Sequence, residues 1–250
     1  MPDRPKTVLR TENDHLALEL LDDCSGRILD KANGARWVLG SSCFQEKGEV
    51  DEDVVWNRRE RCWADLYPSR FKAVAVGEDV LTVQVLDRLG RIRGRFSCSF
   101  VLDGDGFLLR VFDIEERLPS LIFPVPIQSE WLVVPDGVGR IVRRGNPGMG
   151  PTLAAQNNGM NMRWLGGLGQ DRDAGWMMIF AENYEDAGVH MNGGLASPLW
   201  LKSKGVWRTS RSVLYRLTSE GYVGQTRRFR QYLDANGLIL TQSGVIQDWV

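Results

Sequence analysis

The sequence predicts an all-β chain, a large antiparallel β-sandwich with one C-terminal helix. Three observations carry the prediction. About a dozen segments show strand patterning, with turn signals roughly every 8–12 residues between them. One stretch, 222–236, has the period of an amphipathic helix. No internal repeat or linker divides the chain, so residues 1–250 are expected to form a single domain.

The elements follow in order. In Leu16-Ala-Leu-Glu-Leu20 the leucines share one face and Ala17 and Glu19 the other, which is the period of a strand. After the turn Asp22–Gly26, the segments Arg27–Asp30 and Ala35–Leu39 flank Lys31-Ala-Asn-Gly34, an Asn-Gly hairpin signal. Residues 44–61 are acidic, then basic, and weakly patterned, so they are expected to be a long loop or edge region. Trp63, Asp65 and Tyr67 alternate before Pro68. Phe71–Val76 and Val80–Leu86 read as strands about the turn Gly77-Glu-Asp79.

Arg91, Arg93 and Arg95 alternate with Ile92, Gly94 and Phe96, and Cys98, Phe100 and Leu102 continue the apolar face. Asp103-Gly-Asp-Gly106 turns the chain into Phe107–Ile114. A calcium loop needs about six to eight oxygen ligands, so this DxD is read as a turn. Leu118–Gln128 holds three prolines and is expected to be an extended connector or edge, because proline removes a ladder donor. Trp131–Val142 reads as strand, turn, strand. Residues 144–162, rich in Gly, Asn, Pro and Met, are the longest candidate functional loop.

Arg163–Leu168 is a short strand, Gln170–Gly175 a polar turn and Trp176–Glu182 a buried strand. Further strands follow near 188–192, 198–203 and 210–217. In the helix, Tyr222, Thr226, Phe229 and Leu233 form one stripe, with Ser219 as N-cap and Gly237 at C′.

Composition bounds the function. With 43% hydrophobic and 25% charged residues, the chain has the make-up of a soluble globular domain. A net charge of -1 gives no global field toward nucleic acid or an anionic membrane, so neither is expected as a partner. The basic clusters at Arg58-Arg59 with Arg61, at Arg88–Arg95 and at Arg227-Arg228 with Arg230 are too short for a disordered arm. The N-terminus is too polar for a signal peptide, and no apolar run approaches about 18 residues. The expectation is a soluble, cytoplasmic protein. The cysteines at 24, 43, 62 and 98 form no CxxC pair and only two histidines exist, which speaks against zinc and for buried free thiols. No cofactor is expected.

There is no GxSxG, Walker A or HExxH sequence. Gly166-Gly-Leu-Gly169 precedes no helix, so a phosphate loop fails on context. His15 reads as a surface residue at the start of a strand. His190 follows Glu182, Glu185 and Asp186 and precedes Asn192. Such a group can serve proton transfer or bind sugar hydroxyls. Exposed polar residues on a turn and strand are the plainer reading beside it. Of nine tryptophans, Trp37 and Trp176 read as core. Trp131, Trp164, Trp200 and Trp207 sit beside Gly, Pro or polar turns and read as cleft-lining, or as core or rim packing.

Four stretches carry a family resemblance. They are Glu12–Leu20 with Ser25–Trp37, Trp131-Leu-Val-Val-Pro-Asp-Gly-Val-Gly139, Gly175–Glu182 with Glu185-Asp-Ala187, and Gly221–Tyr232 followed by Gly237-Leu238. From about residue 8 to 243 the chain resembles the N-terminal β-supersandwich, of galactose mutarotase-like fold, of glycoside hydrolases related to endo-α-N-acetylgalactosaminidases. In that family such a helix leads into a (β/α)₈ barrel with the catalytic carboxylates. These 250 residues hold no barrel, so no catalytic residue is carried over. The histidine pair typical of mutarotases has no counterpart, since His15 and His190 lie in unlike contexts.

The resemblance implies a non-catalytic, carbohydrate-associated module, with carbohydrate and a catalytic barrel or downstream domain as partners. Its candidate ligand-binding residues are Trp131 and Trp164 for stacking and Asp136, Glu182, Asp186 and His190 for hydroxyls. Two alternatives stand beside it. A stand-alone aldose epimerase or glycosidase would need a carboxylate facing His190, or two carboxyls about 5–9.5 Å apart. A structural or assembly module would bury the helix stripe or a sheet edge against a partner.

Overall fold

A computed structural model of the chain describes residues 4–40, 53–57, 62–66, 70–77, 80–87, 89–124, 127–135, 139–144, 152–154, 162–182, 186–192, 195–202, 205–207 and 210–238. Nineteen strands and one helix occur among the described residues. The first strands are β1 (Thr7–Glu12), β2 (Leu16–Leu21), β3 (Gly26–Asp30), β4 (Arg36–Leu39), β5 (Asp53–Asn57), β6 (Cys62–Leu66), β7 (Arg70–Val76), β8 (Leu81–Leu86), β9 (Ile92–Asp103) and β10 (Gly106–Phe112). Then come β11 (Ser120–Ile122), β12 (Trp131–Val134), β13 (Arg140–Arg143), β14 (Thr152–Ala154), β15 (Trp164–Leu168), β16 (Gly175–Glu182), β17 (Ala187–Asn192), β18 (Leu195–Leu201) and β19 (Arg211–Thr218). The helix α1 is Gly221–Ala235.

The fold is all-β, a large antiparallel sandwich with one C-terminal helix, as the patterning predicts. One layer is a nine-stranded sheet in the order β13-β12-β15-β16-β19-β10-β9-β8-β7. The other is built from two four-stranded pieces, β1-β2-β3-β4 and β11-β18-β17-β14. Ile127 joins these pieces, bridging Leu39 of β4 on one side and Ala196 of β18 on the other. The Gln128 N–H donates to the Val38 carbonyl at 2.9 Å and reinforces the seam.

This seam refines the expectation of an extended connector or edge: β11 is the end strand of its four-stranded piece, and among the described residues Ile127 alone bridges both β4 and β18. Pro124 lacks a ladder N–H, in keeping with the short β11 ladder. The ladder of β11 stops at Ile122, and Ile127 makes only isolated bridges. Residues 53–57, read as part of a loop or edge, form β5 and pair with β6.

Alternation places the core. Leu16, Leu18 and Leu20 of β2 are buried, as are Val83 and Val85 of β8, Phe96, Cys98 and Phe100 of β9, and Leu109 and Val111 of β10. All face the space between the layers and belong to one apolar cluster. In β16 alternation disappears because both faces are covered. Trp176, Met178 and Phe180 enter the inter-layer core, while Met177 and Ile179 lie under α1 with Trp164, Leu168, Leu214 and Phe229. Trp37 and Trp176 are core as expected, and so is Trp200, whose Nε1–H donates to the Phe123 carbonyl at 2.9 Å. Trp207 is partly buried against the same core.

The helix docks on a different line from the one its apolar residues suggest. Its buried residues are Gly221, Gly224, Gln225 and Phe229, and Tyr222 is 53% exposed. Burying Phe229 contributes about 1.5–3 kcal/mol. Glu220, not Ser219, holds the N-cap position, in a left-handed conformation with no side-chain cap. The turn before β16 supplies the missing acceptors. Asp173 accepts the Glu220 N–H through Oδ1 at 3.1 Å and the Gly221 N–H through its carbonyl at 3.0 Å. At the other end Gly237 sits at C′ as expected, with φ 63°. Its N–H reaches Asp234 O, and the Leu238 N–H reaches Leu233 O, which is a Schellman closure. Asp105, in the turn expected between β9 and β10, pairs with Arg216 of β19 and Arg228 of α1. No helix among the described residues is long and apolar enough to cross a membrane.

Candidate functional site

A cleft opens on the outer face of the nine-stranded sheet, between the β12–β13 hairpin and the first turns of α1. Its volume is about 360 Å³, within the range of small-molecule sites. Val133, Pro135, Met162 and Trp164 give it apolar walls, and Arg140, Tyr222 and Thr226 bring polar groups. The helix's docking line creates it. With Gly221, Gly224 and Gln225 against the sheet, Tyr222 and Thr226 are left to the side, over the hairpin. The Thr226 hydroxyl already donates to the Tyr222 carbonyl at 2.9 Å.

The five described sequence candidates do not gather in this cleft. Trp164 is there, but it is 3% exposed and packs against Phe229 at 6.0 Å between ring centroids. Its Nε1–H points to the Met162 sulfur at 3.4 Å. Trp164 therefore offers an edge, not an open stacking face. Trp131 heads β12 nearby and packs against the sub-helix cluster. The Arg172 guanidinium lies 3.7 Å from its ring centroid and that of Arg143 at 5.6 Å. A sugar stacking on the face that Arg172 covers would have to displace that arginine. Asp136 lies outside the described residues.

The other three sit elsewhere. Glu182 ends β16, with its carboxylate 3.5 Å from Arg110 and accepting from the Ser210 hydroxyl at 3.3 Å. Asp186 is buried just before β17, 3.7 Å from the buried Arg211. His190 is buried in β17, opposite Ser197 of β18 and Thr152 of β14 in register. Val189 enters the core, so His190 occupies the opposite face of its layer.

Sequence reading missed Arg140 and Tyr222 as cleft residues. For Tyr222 a signal existed. Gly221, Gly224 and Gln225 at helical spacing with Phe229 mark a close-approach face, which rotates Tyr222 off the sheet.

No protein-family model matches the chain, and no curated protein matches it. Solved structures do. The α-N-acetylgalactosaminidase NagBb from Bifidobacterium bifidum, in complex with Gal-NHAc-DNJ, aligns with TM-score 0.62 at 13% identity, covering 92% of this chain and 39% of that one. The same enzyme in complex with GalNAc gives TM-score 0.61 at 14% identity, with 92% and 39% covered. A glycosyl hydrolase family 38 protein from Enterococcus faecalis gives 0.48 at 11% identity, with 94% and 32% covered. The chain spans about two fifths of the length of the N-acetylgalactosaminidase it matches, 39%. At such identities the likeness is one of fold.

Proposed function

We propose that this chain is a non-catalytic, carbohydrate-associated β-sandwich module of a glycoside hydrolase-like protein. In this reading it is a galactose mutarotase-like supersandwich that works beside a catalytic domain. The observation that supports it most is the fold shared with an α-N-acetylgalactosaminidase over 92% of this chain but 39% of that enzyme. The cleft beside α1 is the proposed sugar-facing surface. Its apolar walls suit the C–H face of a sugar, and Arg140, Tyr222 and Thr226 suit hydroxyls and ring oxygens.

The test combines catalysis and binding. The purified chain is incubated with p-nitrophenyl α-N-acetylgalactosaminide, and separately with α-galactose followed by polarimetry. Release of nitrophenol and mutarotation are both expected at the buffer rate. Turnover in either assay would replace the module with the stand-alone enzyme. Saturation-transfer NMR with galactose, glucose, mannose and their 2-acetamido counterparts is expected to show contact that weakens in Tyr222→Ala. Absence of transfer from every sugar would remove carbohydrate from the reading.

A further inference from the structure

Strand β16 carries a bulge. Phe180 pairs with Val213 and Glu182 with Ser212, so Ala181 is the extra residue. In a regular strand Glu182 would share the face of Phe180 and point into the core. The bulge turns it to the outer face, as bulges do where a side chain is re-aimed. Register then sets Arg110, Ser212 and Glu182 side by side on β10, β19 and β16.

Three features distinguish this spot from an ordinary surface ion pair. The cluster packed beneath α1 ends at Ile179 and Leu214, so Glu182 and Arg110 stay 42% and 51% exposed beyond it. Their contact is 3.5 Å, longer than the roughly 2.7–2.9 Å of a close charge-assisted bond. Beside them Ser212 is 1% exposed, and its hydroxyl has no hydrogen-bond partner among the described residues. A buried hydroxyl left unpaired is costly, which points to an absent partner.

We propose that Glu182, Arg110, Ser210 and Ser212 form a hydroxyl-recognising subsite for a saccharide, separate from the cleft beside α1. A sugar hydroxyl is donor and acceptor at once. Inserted between the two side chains, it donates to Glu182 and accepts from Arg110. Parting the pair also uncovers the Ser212 hydroxyl for a neighbouring ligand oxygen. This inference rests on the carbohydrate reading above.

The experiment is an amide NMR titration of the full chain with galactose, glucose, mannose and their 2-acetamido counterparts. The amides of Ala181, Glu182 and Ser212 are expected to shift. Glu182→Gln and Arg110→Ala should each weaken those shifts by about tenfold in apparent Kd, the scale of a lost bond to a charged group. Arg95→Ala, a charge removed from the same sheet face outside the cluster, should leave them unchanged. Both altered site residues are surface-exposed, and unchanged spectra elsewhere would verify folding. Shifts confined to Val133, Arg140 and the start of α1 would overturn the subsite and leave the module reading intact. No shift with any sugar would overturn the carbohydrate reading itself.

Discussion

Arg211 and Asp186 face each other 3.7 Å apart, although one begins β19 of the nine-stranded layer and the other leads into β17 of the opposite layer. Arg211 is fully buried and Asp186 nearly so. The guanidinium also donates to the Leu201 carbonyl at 3.1 Å and lies 5.7 Å from the Trp207 ring centroid. The sequence offers Asp186 as a sugar ligand, and the structure gives its carboxylate an inter-layer counter-ion.

Removing one member of that pair leaves the other charge buried, which typically costs about 3–5 kcal/mol. Asp186→Asn should therefore lower unfolding stability by about 3 kcal/mol. Asp186→Leu combined with Arg211→Met should cost less than either change alone. Urea denaturation of the four variants measures this, and a double variant less stable than either single would contradict it.

Asp87 predicts an acid dependence. Burial pushes its carboxyl up, but N–H groups of Arg91 and Leu89 and the Arg91 guanidinium outweigh that and hold it below the usual carboxylate range. A depressed folded value stabilises the fold above the unfolded value near 3.9. That contribution disappears as pH falls through the folded value. The Tm gap between the wild type and Asp87→Asn should stay constant from about pH 7 to 5 and close below about pH 4. A gap that widens in acid would refute the assignment.

The layers were legible in the sequence because period two survives wherever one sheet face is dry, as at Leu16, Leu18 and Leu20. The hairpin turns at Gly34 and Gly104 were legible because both need positive φ. The site was less so. The facing of Glu182 depends on a bulge, and the bulge exists only in the pairing of β16 with β19, some thirty residues downstream. Trp131 and Trp164 read as ligand platforms because nothing local shows that Arg172 and Phe229 take their surfaces. The bridging place of Ile127 was hidden because its neighbours, β4 and β18, are far away in sequence.

Cys24 and Cys98 should be inert. Burial pushes the Cys24 thiol up to about 12, helped by Asp23 and Asp22, and burial then Cys24 raise Cys98 well above the usual thiol range. Iodoacetamide at about pH 8 should leave both unmodified in the native chain and alkylate both in urea. Peptide mass mapping reads the result. Native-state modification at the rate of a free thiol would mean that the core between the layers opens.

Gln225 is the residue on which helix docking turns. It is fully buried, and its Nε2 donates to the Gly167 and Trp176 carbonyls, each at 3.0 Å. Gly166 makes this possible, since a Cβ there would lie 2.2 Å from the Gln225 Oε1. Gly166→Ala forces the carboxamide and helix to lift, and overpacking of this kind costs about 1–3 kcal/mol. Gln225→Ala loses both bonds, at about 1 kcal/mol each. In the double variant the shortened side chain makes room for the new methyl. Its cost should fall below the sum of the singles by about 1 kcal/mol. The same lift displaces Tyr222 from the cleft, so Gly166→Ala should also weaken sugar contact there, whereas shifts at Ala181 and Ser212 persist. Strict additivity in guanidinium denaturation would show that Gly166 and Gln225 do not share the space the geometry assigns them.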